Sequence, residues 1–279
     1  MRAGDRTRQQ LRAGRPDMSF LPIRPSAAAR VLTLLLGLAG GLSANAQDYP
    51  SKPIRMVVPF APGSTTDTLA RFVSDRLSRA LGQQILIDNR AGAGGNIGTE
   101  MVARTAADGY TLVTAPSSLA INAALMPNLG FDAVRDLAPV VLIGAAPLII
   151  VATPGLPAGN AAELIALARA RPGQLNYASG GSGSPSHLAM ELFKSMAGID
   201  VVHIPYKGGG ALLNSVMSGE IQLTPSGVLI AVPLIRAGRL KAIAVTGSKR
   251  IAAAPDVPTV AESGLPGYHV SGWWGILAP

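Results

Sequence analysis

From position 52 onward, short runs of branched apolar residues alternate with stretches whose apolar positions recur every three or four residues. A glycine, serine or proline cluster separates each pair. A chain written this way builds strand–loop–helix units, and such units pack as a mostly parallel sheet covered by helices, the α/β class. The first unit reads as a strand over 54–59, a polar loop, and a helix over 66–81. Leu69, Phe72, Val73, Leu77 and Leu81 recur there at helical spacing, and Gly82 ends the helix. A strand over 84–88, the glycine-rich 91–98 (AGAGGNIG), a helix to about 106 and a strand over 110–114 follow. A second series places helices at 160–170, 185–196, 211–218 and 229–237, with strands at 175–178, 201–205, 221–224 and 241–245. Between the two series, the strand-like 140–143 and 148–151, separated by Gly144-Ala145-Ala146-Pro147, read as a crossing. The expected organisation is therefore a leader over 1–46, a first lobe over 47–145, a second lobe over 146–247 and a return to the first lobe over 248–279. A ligand cleft and a hinge are expected between the lobes. The closing GWWGILAP reads as a strand with no helix after it, as if a unit were cut short.

The formal charge of +8 invites a nucleic-acid reading until its location is considered. Seven arginines and two aspartates lie in the first 46 residues, and removing them leaves 17 Lys+Arg against 14 Asp+Glu, about +3. That balance implies no nucleic-acid partner. The same segment carries the 12-residue apolar run VLTLLLGLAGGL and then Ala44-Asn45-Ala46, the pattern of a secretory signal peptide. The run is short for a bilayer span, so the mature chain is expected in the periplasm. Met18 is an alternative start. The chain has no cysteine, which removes disulfides, thiolate nucleophiles and zinc–thiolate sites together.

Two loops have the chemistry of an anion site, since each joins a strand to a helix whose first amides lack intrahelical acceptors. The first is 59–67 (PFAPGSTTD). Phe60, Ala61 and Gly63 shape the turn there, Ser64, Thr65 and Thr66 offer hydroxyls, and Asp67 enters the first helical turn. Asp67 is also placed to pair with a ligand amine. The second is 178–187 (ASGGSGSPSH). Its Gly180, Gly181 and Gly183 leave room beside the backbone, Ser179, Ser182 and Ser184 supply donors, and His187 is a candidate contact. Ser117, Ser118 and Asn122 in 115–122, and Ser226 in 224–227, are read as strand-end loop residues facing the same cleft. Phe60 and Tyr206 stand at strand ends where they could line it.

Other chemistries fail on pattern. Gly180, Ser182 and Ser184 give G-x-S-x-S and not the G-x-S-x-G elbow of serine hydrolases, so no catalytic residue is assigned. AGAGGNIG has Ile97 where a dinucleotide fingerprint needs its third glycine, and no P-loop lysine follows. His187, His203 and His269 are scattered, so no metal and no cofactor is expected.

The segments YPSKPIRMVVPFAPGSTTD, DNRAGAGGNIGTE, AADGYTL, NYASGGSGSPSHL, VHIPYKGGG, GRLKAIAVT and APDVPTVAESGLPGY stand in that order through nearly all of the chain after its leader. In them the chain resembles the Bug-type, or TctC, extracytoplasmic receptors of tripartite tricarboxylate transporters. The resemblance implies a two-lobed, type II-like periplasmic-binding-protein fold and a small carboxylate ligand: a di- or tricarboxylate, an amino acid or an aromatic acid. It implies two pincer loops, here 60–67 and 179–187, that hold the carboxylate through backbone groups and bridging waters. The implied partner is a membrane permease, or a sensor kinase in the alternative, and the receptor is expected to be a monomer without enzymatic activity. Ser64 departs from the family's usual second glycine in the first loop.

Overall fold

The computed structural model describes residues 49–279, and the leader expected over 1–46 lies outside them. Strand β1 (Ile54–Val58) leads into α1 (Thr65–Leu81), β2 (Ile85–Asn89), a 3-10 turn (Ala93–Gly95), α2 (Asn96–Ala103), β3 (Thr111–Pro116) and α3 (Ser118–Leu125). The 15-residue β4 (Ala138–Ala152) follows. Then come α4 (Ala161–Ala170), β5 (Asn176–Ser179), α5 (Pro185–Ala197), β6 (Val202–Pro205), α6 (Gly210–Met217), β7 (Leu223–Gly227), α7 (Val228–Arg236), β8 (Lys241–Val245) and β9 (Ser271–Ala278).

Sequence-local signals set most helix ends. Ser64 caps α1 by accepting from the Asp67 amide at 3.2 Å, and Gly82 closes it in the left-handed conformation that favours glycine. Asn160 caps α4 reciprocally with Glu163, and Ser184 with Pro185 behind it opens α5. The side of α1 turned to the sheet differs from expectation. Its buried residues are Thr66, Asp67, Ala70 and Ser74, whereas Phe72 is 56% exposed beneath the Arg76 guanidinium and Leu81 is 39% exposed. Leu69, Val73 and Leu77 are half-buried beside that stripe, so helical spacing identified the helix and most of its inner side but not the exposure of Phe72 and Leu81.

The first sheet has the order β2-β1-β3-β9-β4, with β1, β2 and β3 parallel and β9 antiparallel to both its neighbours. The second joins β4 to β7 and β8 in antiparallel fashion, and β7 to β5 and β5 to β6 in parallel. The two strands read at 140–143 and 148–151 are one strand. Residues 138–147 of β4 pair with β9, and residues 148–152 pair with β7 and β8. Gly144 to Pro147 do not interrupt it, because extended backbone accommodates glycine and proline wherever the ladder does not need their missing groups. A second crossing runs beside it: Thr246 donates from its amide to the Leu148 carbonyl at 2.9 Å and from its hydroxyl to the Val270 carbonyl at 2.8 Å.

The second lobe holds the larger core, and because Val260 and Tyr268 belong to it, the return to the first lobe begins at β9 and not at 248 as expected. Phe193 and Tyr268 meet edge-on with centroids 6.2 Å apart, packed with Leu164, Tyr177 and Met190, and the Tyr268 hydroxyl donates to the Ala189 carbonyl at 2.8 Å. Val57, Val102, Val113 and Leu277 centre the first lobe. Phe193→Ala empties the middle of the second core and is expected to lower unfolding free energy by about 3–5 kcal/mol, read as a lower urea midpoint at unchanged slope.

Candidate functional site

Between the sheets lies a cavity of about 90 Å³. Four helices present their N-terminal turns to it. These are α1 through Ser64, Thr65 and Thr66, α5 through Ser184, Pro185 and Ser186, α6 through Gly208 and Gly209, and α7 through Ser226 and Gly227. Each such turn leaves backbone N–H groups without intrahelical acceptors and carries the positive end of a helix dipole, equivalent to about half a charge. The remaining walls are apolar: Phe60, Pro116, Leu148, Leu212, Leu213, Pro225, Ile230 and Trp274. Among the described residues, no ionisable side chain lines the cavity.

Of the residues singled out in the sequence, Phe60, Ser64, Thr65, Thr66, Gly180, Ser184 and Ser226 meet here. Gly181, Ser182 and Tyr206 line a neighbouring hollow of about 300 Å³ with Gly94 and Met126. Ala61, Gly63 and Gly183 lie where the lobes meet, and the others stand outside the cavity lining. Asp67 is 3% exposed, and its carboxylate accepts from the Gly63 amide at 3.0 Å, from Arg71 Nε at 3.0 and 3.1 Å and from Asn89 Nδ2 at 2.9 Å. Burial alone would raise its pKa, but these hydrogen bonds and the Arg71 charge outweigh it and hold the group below the usual carboxylate range. Asp67 thus braces the turn that contains Ala61 and Gly63 and is turned away from the cavity.

The readings of 115–122 and 224–227 as loops are corrected. Helix α3 begins at Ser118, and β7 continues through Gly227 because its residues pair with Leu148 to Ala152. Ser117 donates its amide to the Trp273 carbonyl at 2.9 Å. Asn122 donates to Asn96 Oδ1 at 2.8 Å and to the Gly94 carbonyl at 3.3 Å, and Ser118 is buried beside Gly95. Apart from Phe60, sequence reasoning missed the apolar wall, and of the loop before α6 it named Tyr206 but not the glycines. That loop carried a signal, since the Gly208-Gly209-Gly210 run follows a strand and precedes a helix as the other two loops do. Trp274 carried none: it reaches the site only because β9 lies between β3 and β4 in the first sheet, where its indole N–H donates to the Thr66 hydroxyl at 3.1 Å.

The second pincer loop is tied down by its own side chains. Gly181 donates its amide to Ser179 Oγ at 3.1 Å, Gly180 to Ser186 Oγ at 3.1 Å and Gly183 to His187 Nδ1 at 3.3 Å. Ser179 Oγ lies 2.6 Å from His203 Nε2. His203 sits between His187, at 4.4 Å, and Tyr177, at 4.8 Å, and the Tyr177 hydroxyl donates to Glu191, which also holds Lys194. Burial, and secondarily the neighbouring His187, pushes the pKa of His203 down to about 4; burial lowers that of His187 too. Among the described residues, no cluster of three or more His, Cys, Asp or Glu is arranged to hold a metal ion.

The lobes meet closely across the cleft. The Ala61 amide of the first donates to the Lys207 carbonyl of the second at 3.4 Å. A β-carbon at Gly183 would overlap Asn122 Oδ1, one at Gly94 the Ser182 carbonyl, and one at Gly227 the Thr65 side chain. Backbone hydrogen bonding between the lobes and glycine at their contacts give this arrangement its closeness.

Residues 69–279 match the TctC family, described as the tripartite tricarboxylate transporter family receptor. The chain belongs to the TctC family. It is 41% identical over 245 residues to the protein BugT of Bordetella pertussis, covering 87% of this chain and 74% of that one. Its fold is similar to that of an R. palustris protein solved with adipate (TM-score 0.80, 39% identity, 83% and 78% of the two chains). It is likewise similar to the periplasmic binding protein BugD (TM-score 0.80, 34% identity, 83% and 77%) and to MatC from Rhodopseudomonas palustris with bound malate (TM-score 0.79, 34% identity, 83% and 79%). The α/β, two-lobed periplasmic-binding-protein architecture expected from the sequence is thereby established for this TctC protein.

A histidine whose folded pKa lies below its unfolded value near 6.5 contributes stability that is full above pH 6.5. As pH falls from about 6.5 toward about 4, the unfolded chain takes up a proton that the folded chain refuses, and stability declines. The melting temperature of this TctC protein is expected to fall through that window, and His203→Gln is expected to make the fall shallower. Parallel melting curves of the two proteins between pH 7 and pH 4 measure the difference.

Proposed function

We propose that the chain is a periplasmic solute-binding receptor, without catalytic activity, that captures a small carboxylate between its lobes and delivers it to the membrane permease of a tripartite transporter. The observation that carries this reading is the convergence of four helix N-termini on a cavity that, among the described residues, no cationic side chain lines. Such a site stabilises an anion with fixed donors and dipoles, and it avoids the cost of burying a lysine or arginine. The adipate and malate carried by two structures of similar fold and sequence accord with it.

In this reading the carboxylate is held by the first-turn amides of α1 on one lobe and of α5, α6 and α7 on the other. A ligand that contacts both lobes favours the closed form by its differential affinity for it. Ser64, Thr65, Thr66, Ser184, Ser186 and Ser226 add hydroxyls, and Phe60 seals the wall. The pincer glycines Gly180, Gly181 and Gly183, with Ser179 and Ser182, let the second loop approach the first, and His187 holds that loop's turn.

A thermal-shift screen of residues 47–279 is the direct test, since a ligand that binds only the folded state raises its melting temperature. Carboxylates are expected to raise it and neutral sugars to leave it unchanged; stabilisation by sugars alone would overturn the reading. Gly183→Ala places a methyl group against Asn122 at a φ of +77°. It is expected to weaken the best carboxylate at least tenfold in isothermal titration by blocking closure.

A further inference from the structure

We propose that the Trp274 indole sets the length of carboxylate the receptor accepts, by closing the ligand cavity off from a larger apolar hollow beside it; this rests on the reading of the cavity as a carboxylate site. The hollow measures about 480 Å³, against about 90 Å³ for the cavity, and lies between α1, α7 and the middle of β4. Its walls are apolar: Leu69 from α1, Ile143 from β4, and Val228, Leu229, Val232 and Pro233 from α7. Among the described residues, two line both spaces, Thr65 and Trp274. Thr65 contributes a short side chain packed against Gly227, so the indole is the larger part of the division.

The indole is held at both ends. Its N–H donates to the Thr66 hydroxyl at 3.1 Å, and its six-membered ring lies over Gly272, where a β-carbon would stand 3.3 Å from Cη2. Trp274 is 5% exposed, and β9 carries it between β3 and β4, opposite Pro116 and Gly144. Swinging it aside for a ligand would leave a buried donor unpaired, which opposes the movement. The cavity is well under the roughly 300 Å³ at which pockets for drug-sized ligands begin, so a short carboxylate fits and a long tail meets the indole. Behind the indole is apolar space where each buried methylene is worth about fourfold in affinity.

The test is isothermal titration with butanoate, hexanoate, octanoate and decanoate, alongside succinate and adipate. Wild-type affinity is expected not to rise beyond hexanoate, whereas that of Trp274→Ala is expected to rise at least tenfold from hexanoate to decanoate. Trp274→Leu, which keeps an apolar side chain on β9, is expected to show a smaller rise of the same sign and serves if the alanine variant fails to fold. Gly144 lines the hollow, a β-carbon there meets no atom within 4 Å, and its φ lies outside the left-handed region. Gly144→Leu therefore refills the hollow. Added to Trp274→Ala it is expected to cancel the rise, and alone it is expected to leave succinate and adipate binding unchanged; a merely structural tryptophan would give no length-dependent gain to cancel. A wild-type protein that already gains affinity up to decanoate would overturn the inference, as would tryptophan variants that bind short acids without gaining long ones, and both results leave the receptor reading standing. A cooperatively folded wild-type protein that binds none of a wider carboxylate panel would remove the receptor reading itself, and this inference with it.

Discussion

One strand belongs to both sheets. Up to Pro147, β4 is bonded to β9 and lies in the first sheet; from Leu148 it is bonded to β7 and β8 and lies in the second. The ladder is therefore continuous across the junction, and no flexible linker joins the lobes there. Thr246 and Val270 add a parallel brace beside Leu148. Two extended segments side by side permit small rotations in backbone angles while resisting separation, the mechanical basis of hinge closure. The position of Trp274 and the meeting of the helix N-termini both follow from this arrangement.

In the proposed receptor, the site answers a charge problem with backbone. An anion in a cavity needs compensation, and a buried lysine or arginine would bring its own desolvation cost and bind its counter-ion rigidly. Helix ends avoid both, because their N–H groups are already fixed by the helices behind them. Asp67, the buried carboxylate near the site among the described residues, does structural work through Arg71, Asn89 and the Gly63 amide, and it leaves the cavity wall neutral. His187, His203 and Ser179 do the corresponding work for the second loop by holding the amides of Gly181 and Gly183 in place. Polar side chains in both loops thus orient backbone groups.

Close approach is the companion requirement. Where the lobes touch, Gly94, Gly183 and Gly227 face backbone or side-chain atoms with no room for a β-carbon. Glycine at these positions lets the backbone of one lobe reach the other: Gly94 meets the Ser182 carbonyl, Gly183 the Asn122 side chain and Gly227 the Thr65 side chain. The same residues that read in the sequence as a permissive loop are, in the folded chain, one half of an interface.

The sequence by itself determined what is local. The alternation of strand and helix, the caps at Ser64, Asn160 and Ser184, the glycine termination of α1 and the strand–glycine–helix loops all depend on residues within about one helical turn of each other, so their chemistry is legible in the order of the letters. Only the tertiary structure decided which of those loops share a cavity, that Asp67 is consumed by an asparagine 22 positions away, and that Trp274 bonds Thr66 across 208 residues. Strand order sets those meetings, and strand order is fixed by long-range pairing, above all of β4 with β9. The exposure of Phe72 on α1 escaped sequence reasoning for the same reason: periodicity marks the inner side of the helix, where Leu69, Val73 and Leu77 are half-buried, but which residues at its margin are covered depends on the elements packed against it.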